Sequence, residues 1–302
     1  MAPHPQFENK AHMNRSPNFR GIRTPAFLRL LPALLALALP ASPRAHEHLA
    51  AGAQLSESGS ALLFVNAANY AAESGYVVPL ELSTNGPYAG YHHAELTFVC
   101  QPATPDRGGP APFHPVLGTH VDAIIETVEG PAGGALGFWE SPGDEVTATE
   151  LTFNVPVGET QGTRGFPISE NDGSPEADPF GHIHGRVFSA TEPGLYRVGF
   201  RFVDTSVNGP GGGPLHTPSP RFFLHFQSGI TLAGIRPADD GLEITFAAAN
   251  DFRYVLEERP QLEGPVPWAP VGDPVTGDNH LHTLAVGAGG DLRYFRLRRE
   301  PL

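Results

Sequence analysis

The 302-residue sequence holds one cysteine, Cys100, and one lysine, Lys10. A single thiol excludes any internal disulfide, so stability must come from packing. Cys100 ends the alternating run Leu96-Thr97-Phe98-Val99-Cys100, which predicts a buried, inert thiol. Charged residues make up only 17% of the chain, so uncharged polar residues, Gly and Pro must cover much of the surface. No stretch sustains a helical period. Nucleophilic catalysis lacks its signatures: there is no Gly-x-Ser-x-Gly elbow, and Ser, His and Asp occur without telling spacing. Gly211-Gly212-Gly213 leads into a proline rather than a helix, so it is not a phosphate loop. Basic patches are missing too. With a net charge of −13, this argues against nucleic acid and anionic lipid and favours cations, although an acidic surface also serves solvation alone.

What is present begins with an export signal. Arg15, Arg20, Arg23 and Arg29 form a basic region. Leu30 to Leu39 is an apolar run broken by Pro32, and Ala41 and Ala45 offer cleavage sites. The run is too short for a membrane span, so none is expected in the mature form. Removing residues 1–45 takes away six basic side chains and one acid, and the net charge of −13 becomes −18.

Gly 35 and Pro 32 suit a loop-rich β protein. Alternating runs predict strands at His46–Glu57, Ala61–Asn66, Val77–Ser83, Ala94–Gln101, Val121–Val128, Ala135–Glu140, Thr147–Val157 and Arg221–Gln227. The Ile pair in Val121–Val128 also permits a short helix. Long loops are expected at 102–119 and 158–180. The clearest hairpin runs from His182 to Phe202: Val187 and Phe188, a Pro193-Gly194 turn, then Tyr196, Val198, Phe200 and Phe202 in alternation. The pattern predicts an all-β fold, a β-sandwich of jelly-roll type, over 46–228. A small C-terminal β module follows over 229–302, with Trp268 capping its core.

His182 and His184 stand two residues apart between glycines. On an extended chain they face one side, and two neutral imidazoles are the minimum unit for holding zinc or copper. His46, His48, His120 and His216 are the further candidate metal ligands. Each also has a plainer reading, as a loop cap or a partner of a backbone carbonyl. If cleavage follows Ala45, His46 becomes the N-terminus, and its amine and ring nitrogen could form a copper-binding histidine brace. Cleavage after Ala41 would leave it internal. The adjacent His92 and His93 point to opposite faces of a strand, one buried and one exposed. Glu170-Asn171-Asp172-Gly173 has oxygen donors at a turn but lacks calcium-loop spacing, and reads as a solvated acidic loop.

Several of these segments together carry a resemblance. Gly181-His182-Ile183-His184, Phe188 and Pro193-Gly194-Leu195-Tyr196-Arg197-Val198 form its signature end. His46-Glu47-His48-Leu49 matches its first strand. Thr127-Val128-Glu129-Gly130-Pro131 with Leu136-Gly137-Phe138-Trp139-Glu140 matches a strand pair. Over roughly residues 46–228 the chain resembles the surface-anchored domain first described in actinobacteria, the choice-of-anchor M domain. The resemblance implies surface display, in some relatives alongside metal-type import systems, and implies no catalytic residue. A sortase-type motif and a terminal hydrophobic tail are not found, which departs from wall-anchored relatives.

Three readings stay open. The first is a secreted, non-catalytic cell-envelope protein that binds a metal ion or small ligand through its histidines, with other envelope proteins as partners. The second is a purely structural or adhesive module. The third is a copper-dependent oxidase built on the His46 brace.

Overall fold

The computed structural model describes residues 48–141, 145–160, 164–289 and 292–302. The leader and His46 lie outside them. Thirteen strands build the larger body: β1 (His48–Ala53), β2 (Leu62–Phe64), β3 (Val77–Leu82), β4 (His92–Glu95), β5 (Thr97–Cys100), β6 (Val121–Glu129), β7 (Ala135–Trp139), β8 (Phe153–Pro156), β9 (Arg164–Pro167), β10 (Gly181–His182), β11 (Val187–Ala190), β12 (Gly194–Asp204) and β13 (Phe222–Ser228). Seven more follow: β14 (Leu232–Ala238), β15 (Gly241–Ala248), β16 (Phe252–Arg259), β17 (Ala269–Pro270), β18 (Val275–Thr276), β19 (His280–Gly287) and β20 (Tyr294–Pro301). The fold is all-β, a sandwich that curls toward a barrel, followed by a small β module. No helix among the described residues is long and apolar enough to cross a membrane.

One sheet runs β10-β5-β1-β2; the facing sheet runs β8-β7-β11-β4-β3-β13-β12-β6-β9. The second sheet curls because β3 changes partners along its length. Val77–Leu80 pair in parallel with β13, and Glu81 and Leu82 pair with β4. Alternation decides which side chains enter the core. Tyr196, Val198, Phe200 and Phe202 are 0% exposed, as are Phe98, Phe188 and Phe226. The Phe138 and Phe166 rings stack at 4.5 Å and 9°. Each fully buried ring contributes roughly 1.5–3 kcal/mol, which is how a chain without disulfides is held. Cys100 is fully buried, and burial pushes its thiol pKa up to about 12.

Several expectations need correction. The segment around Pro193-Gly194 is strand, turn, strand, but not a hairpin. β11 pairs with β4 and β7, while β12 pairs with β13 and β6. Gly194, at φ 152°, sends the chain away from β11, and a Cβ there would approach the Pro131 ring at 3.0 Å. Val121–Glu129 is strand throughout, because its alternate side chains Val121, Ala123 and Ile125 are buried. The supposed loop 158–180 contains β9, an edge strand too short to show a period. The run Thr147–Val157 yields only β8. His92 and His93 are both partly buried: Gly229 lies against the first, and the Tyr88 ring stacks on the second at 4.6 Å.

The C-terminal module has its own core, including Ile244, Phe246, Tyr254, Leu256 and Val286. Trp268 is not part of it; its ring lies under the guanidinium groups of Arg259 and Arg296, at 5.0 and 4.6 Å. The module joins the sandwich through a bridge between Tyr76 and His280. Val77 N–H donates to the Asn279 carbonyl, Leu281 N–H to the Gly75 carbonyl, and Arg299 to Glu81.

Candidate metal centre

The sheet geometry explains where the histidines meet. His48 opens β1 and pairs in parallel with Thr97 of β5; His182 ends β10 and pairs with Val99. Leu49, Ala51, Phe98 and Cys100 point into the core. Their neighbours His48, Thr97, Val99 and His182 therefore project from the other face. β1 and β10 flank β5, so their backbones stand roughly 9–10 Å apart. The two imidazoles lean toward each other across β5, over Thr97 and Val99, whose short side chains leave room for them. Their Nε2 atoms lie 3.2 Å apart. His184 completes the group, with its ring centroid 4.3 Å from His182 and 5.7 Å from His48. One nitrogen from each of the three rings lies within 4.8 Å of the others.

The backbone beneath each ring is tied down. Asn66 donates from Nδ2 to the His48 carbonyl, and its Oδ1 accepts from Ala50 N–H. His182 N–H donates to Glu170 Oε1 at 2.8 Å, and Glu170 faces Arg107 at 3.8 Å. The His184 segment is held most firmly. Gly185 N–H donates to Glu95 Oε1, and the Gly185 carbonyl accepts from the Ser141 hydroxyl. Next in sequence, Arg186 is 2% exposed and pairs with Glu140 at 2.8 Å; it also donates to the Pro167 carbonyl. A buried charge needs such partners.

His120 and His216 are not brought into this group. His120 Nδ1 meets Asn171 Oδ1 at 3.0 Å, and its Nε2 lies 3.6 Å from Asp122. His216, 1% exposed, has both ring nitrogens in hydrogen bonds. Val116 N–H donates to its Nε2 at 3.0 Å, and its Nδ1 donates to the Ser60 carbonyl at 3.0 Å. Burial pushes the His216 pKa down, consistent with the neutral ring those bonds require. These two histidines are stitched into loops.

The acidic loop around 170–178 is stitched as well. Asp178 accepts from the Ala103, Thr104 and Phe180 amides and the Thr104 hydroxyl. Burial alone would raise its carboxyl, yet these donors leave the pKa lowered. Asn171 donates to the Thr119 and Asp178 carbonyls. Asn171 Oδ1 accepts from Gly173 N–H, so the side-chain oxygens of Asn171 and Asp178 are engaged in loop structure rather than gathered for calcium.

Sequence reasoning missed Glu95, Thr97 and Asn66 as neighbours of the group. Glu95 and Thr97 both lie within the predicted Ala94–Gln101 strand, which the structure breaks at Leu96, where the chain leaves β4 in one sheet for β5 in the other, and no local signal marked that break. Comparison of the chain with protein-family models, curated proteins and solved structures finds no match.

Three imidazoles this close together could hold a metal ion. Two nitrogens bound to one tetrahedral zinc at 2.0–2.1 Å are about 3.3–3.4 Å apart, and a right-angled pair on tetragonal copper about 2.9 Å apart. The observed 3.2 Å between His48 and His182 lies between those values. Hard ions such as calcium want oxygen donors, which the group does not offer.

Proposed function

We propose that this protein is an exported, non-catalytic cell-envelope protein that binds zinc or copper through His48, His182 and His184. The observation that carries the reading is the convergence of three ring nitrogens within 4.8 Å. Two segments distant in sequence supply them, the start of β1 and the stretch from β10 to Gly185, and backbone hydrogen bonds hold both. The basic-then-apolar leader supports export, and the motifs around Gly181–His184 and Pro193–Val198 support kinship with surface-anchored proteins. A metal ion is the ligand class, and other envelope proteins are the proposed partners.

The test is titration of the exported protein with Zn²⁺ and Cu²⁺, followed by calorimetry and thermal melting. One equivalent should bind. At a free metal concentration one hundred times Kd the fold gains about 2.7 kcal/mol, or roughly 5–11 °C in Tm for a body of this size. Ca²⁺ and Mg²⁺ should leave Tm unchanged. A protein that takes up neither Zn²⁺ nor Cu²⁺ leaves the structural or adhesive reading in place.

A further inference from the structure

The chain passes between the two sheets twice beside the metal centre. Glu95 on β4 and Thr97 on β5 belong to different sheets, with only Leu96 between them; His182 on β10 and Val187 on β11 make the second crossing. The crossings are joined where Leu96 N–H donates to the Arg186 carbonyl at 3.1 Å. Glu95 Oε1 takes the Gly185 amide at 2.9 Å and lies 3.9 Å from His184 Nδ1. Thr97 Oγ1 is 3.5 Å from the same nitrogen. Glu95 is not a member of the converging nitrogen group, so it stands one step behind it.

We propose that Glu95 is a positioning residue of the metal centre: its carboxylate faces His184 Nδ1 and directs the opposite nitrogen, Nε2, to the ion. This rests on the three-histidine reading. A neutral imidazole carries one N–H and one lone pair, and an ionised carboxylate can only accept. A negative charge 3.9 Å from Nδ1 favours the proton on that nitrogen by electrostatic attraction, with the Thr97 hydroxyl as its nearer hydrogen-bond partner, and this leaves the lone pair on Nε2 and makes it a stronger donor. The backbone favours the arrangement. Gly185 adopts φ +75°, which a side chain would strain, and its amide and carbonyl are fixed by Glu95 and Ser141.

Glu95→Gln separates the two roles of this side chain. The amide oxygen still accepts from Gly185, while the charge facing His184 is gone. Zn²⁺ affinity is measured against a competing chelator, and the visible spectrum of the Co²⁺-loaded protein is recorded. The expected result is Zn²⁺ binding weaker by about 10- to 100-fold, a shifted Co²⁺ spectrum and an unchanged metal-free Tm. If Glu95→Gln lowers the metal-free Tm, Glu95→Asp decides: recovery of the Co²⁺ spectrum supports the role of the charge, and no recovery overturns it. A Glu95→Gln protein that matches wild type in affinity and spectrum overturns the inference and leaves the three-histidine reading standing. A wild-type protein that binds neither ion overturns both.

Discussion

His48, His182 and His184 differ from His216 in what their ring nitrogens face. His48 on β1 and His182 on β10 project from the outer face of their sheet and His184 from the loop after β10, all partly exposed, with one nitrogen of each within 4.8 Å of the others. His216 is buried within the connection between β12 and β13, where an amide donor and a carbonyl acceptor fix its tautomer. Asp204 organises that second region, accepting from the amides of His120, Ser206, Leu215 and His216. The same side chain is thus a framework part where backbone groups claim its nitrogens, and a candidate ligand where other imidazoles do. The distinction lies in the neighbours, which sequence spacing does not reveal.

The largest expected effect that would break this comparison is on binding. The His182→Ala, His184→Ala double variant removes two of three donors. Zn²⁺ affinity should fall by on the order of a thousandfold or more, beyond the 10- to 100-fold typical of outer-shell changes. Its metal-free stability should change by less than about 1 kcal/mol, because the lost rings are partly exposed. Chelator competition and urea denaturation read the two quantities.

His216→Ala should do the reverse. It strands the Val116 amide and opens a cavity, and should cost about 2–4 kcal/mol in urea unfolding. Metal affinity should stay within twofold of wild type. A loss of binding comparable to that of the double variant would merge the two regions and defeat the distinction.

A smaller effect sharpens it through pH. Burial is the main cause that pushes the pKa values of His92, His93, His216 and His225 down. In the unfolded chain these rings take protons near the ordinary value of about 6.5, while in the fold they resist. The unfolded state therefore binds more protons below that pH. Their contribution is fully present above about pH 6.5 and is lost as pH falls through the depressed folded values. Metal-free urea midpoints should be level from pH 7 to 8 and decline toward pH 5. His225→Gln should remove part of the decline. A midpoint that rises on acidification contradicts this account.

Much of the fold was legible because alternation reports burial directly. Tyr196, Val198, Phe200 and Phe202 read as one face of a strand and form one wall of the core. Which strands become neighbours was not legible. The Pro193-Gly194 turn suggested a hairpin, yet the chain turns away from β11, and no local signal in the turn states that. The site was half legible. His182-x-His184 announces two rings on one side, and His48 carried a matching motif, but only the parallel pairing of β1 with β5 brings His48 across to them. His120 and His216 looked equivalent in sequence, because the donors and acceptors that claim their nitrogens come from segments as far away as Ser60 and Asn171. Glu95 escaped notice for a similar reason: its contact with the His184 segment exists only where two sheet crossings meet.

The most direct test of the central claim is the metal content of protein exported by its own host, measured by element-resolved mass spectrometry beside the His182→Ala, His184→Ala variant. The account predicts close to one equivalent of zinc or copper in the wild type and almost none in the variant. Wild-type protein without either metal, or a variant that retains the wild-type amount, would contradict it.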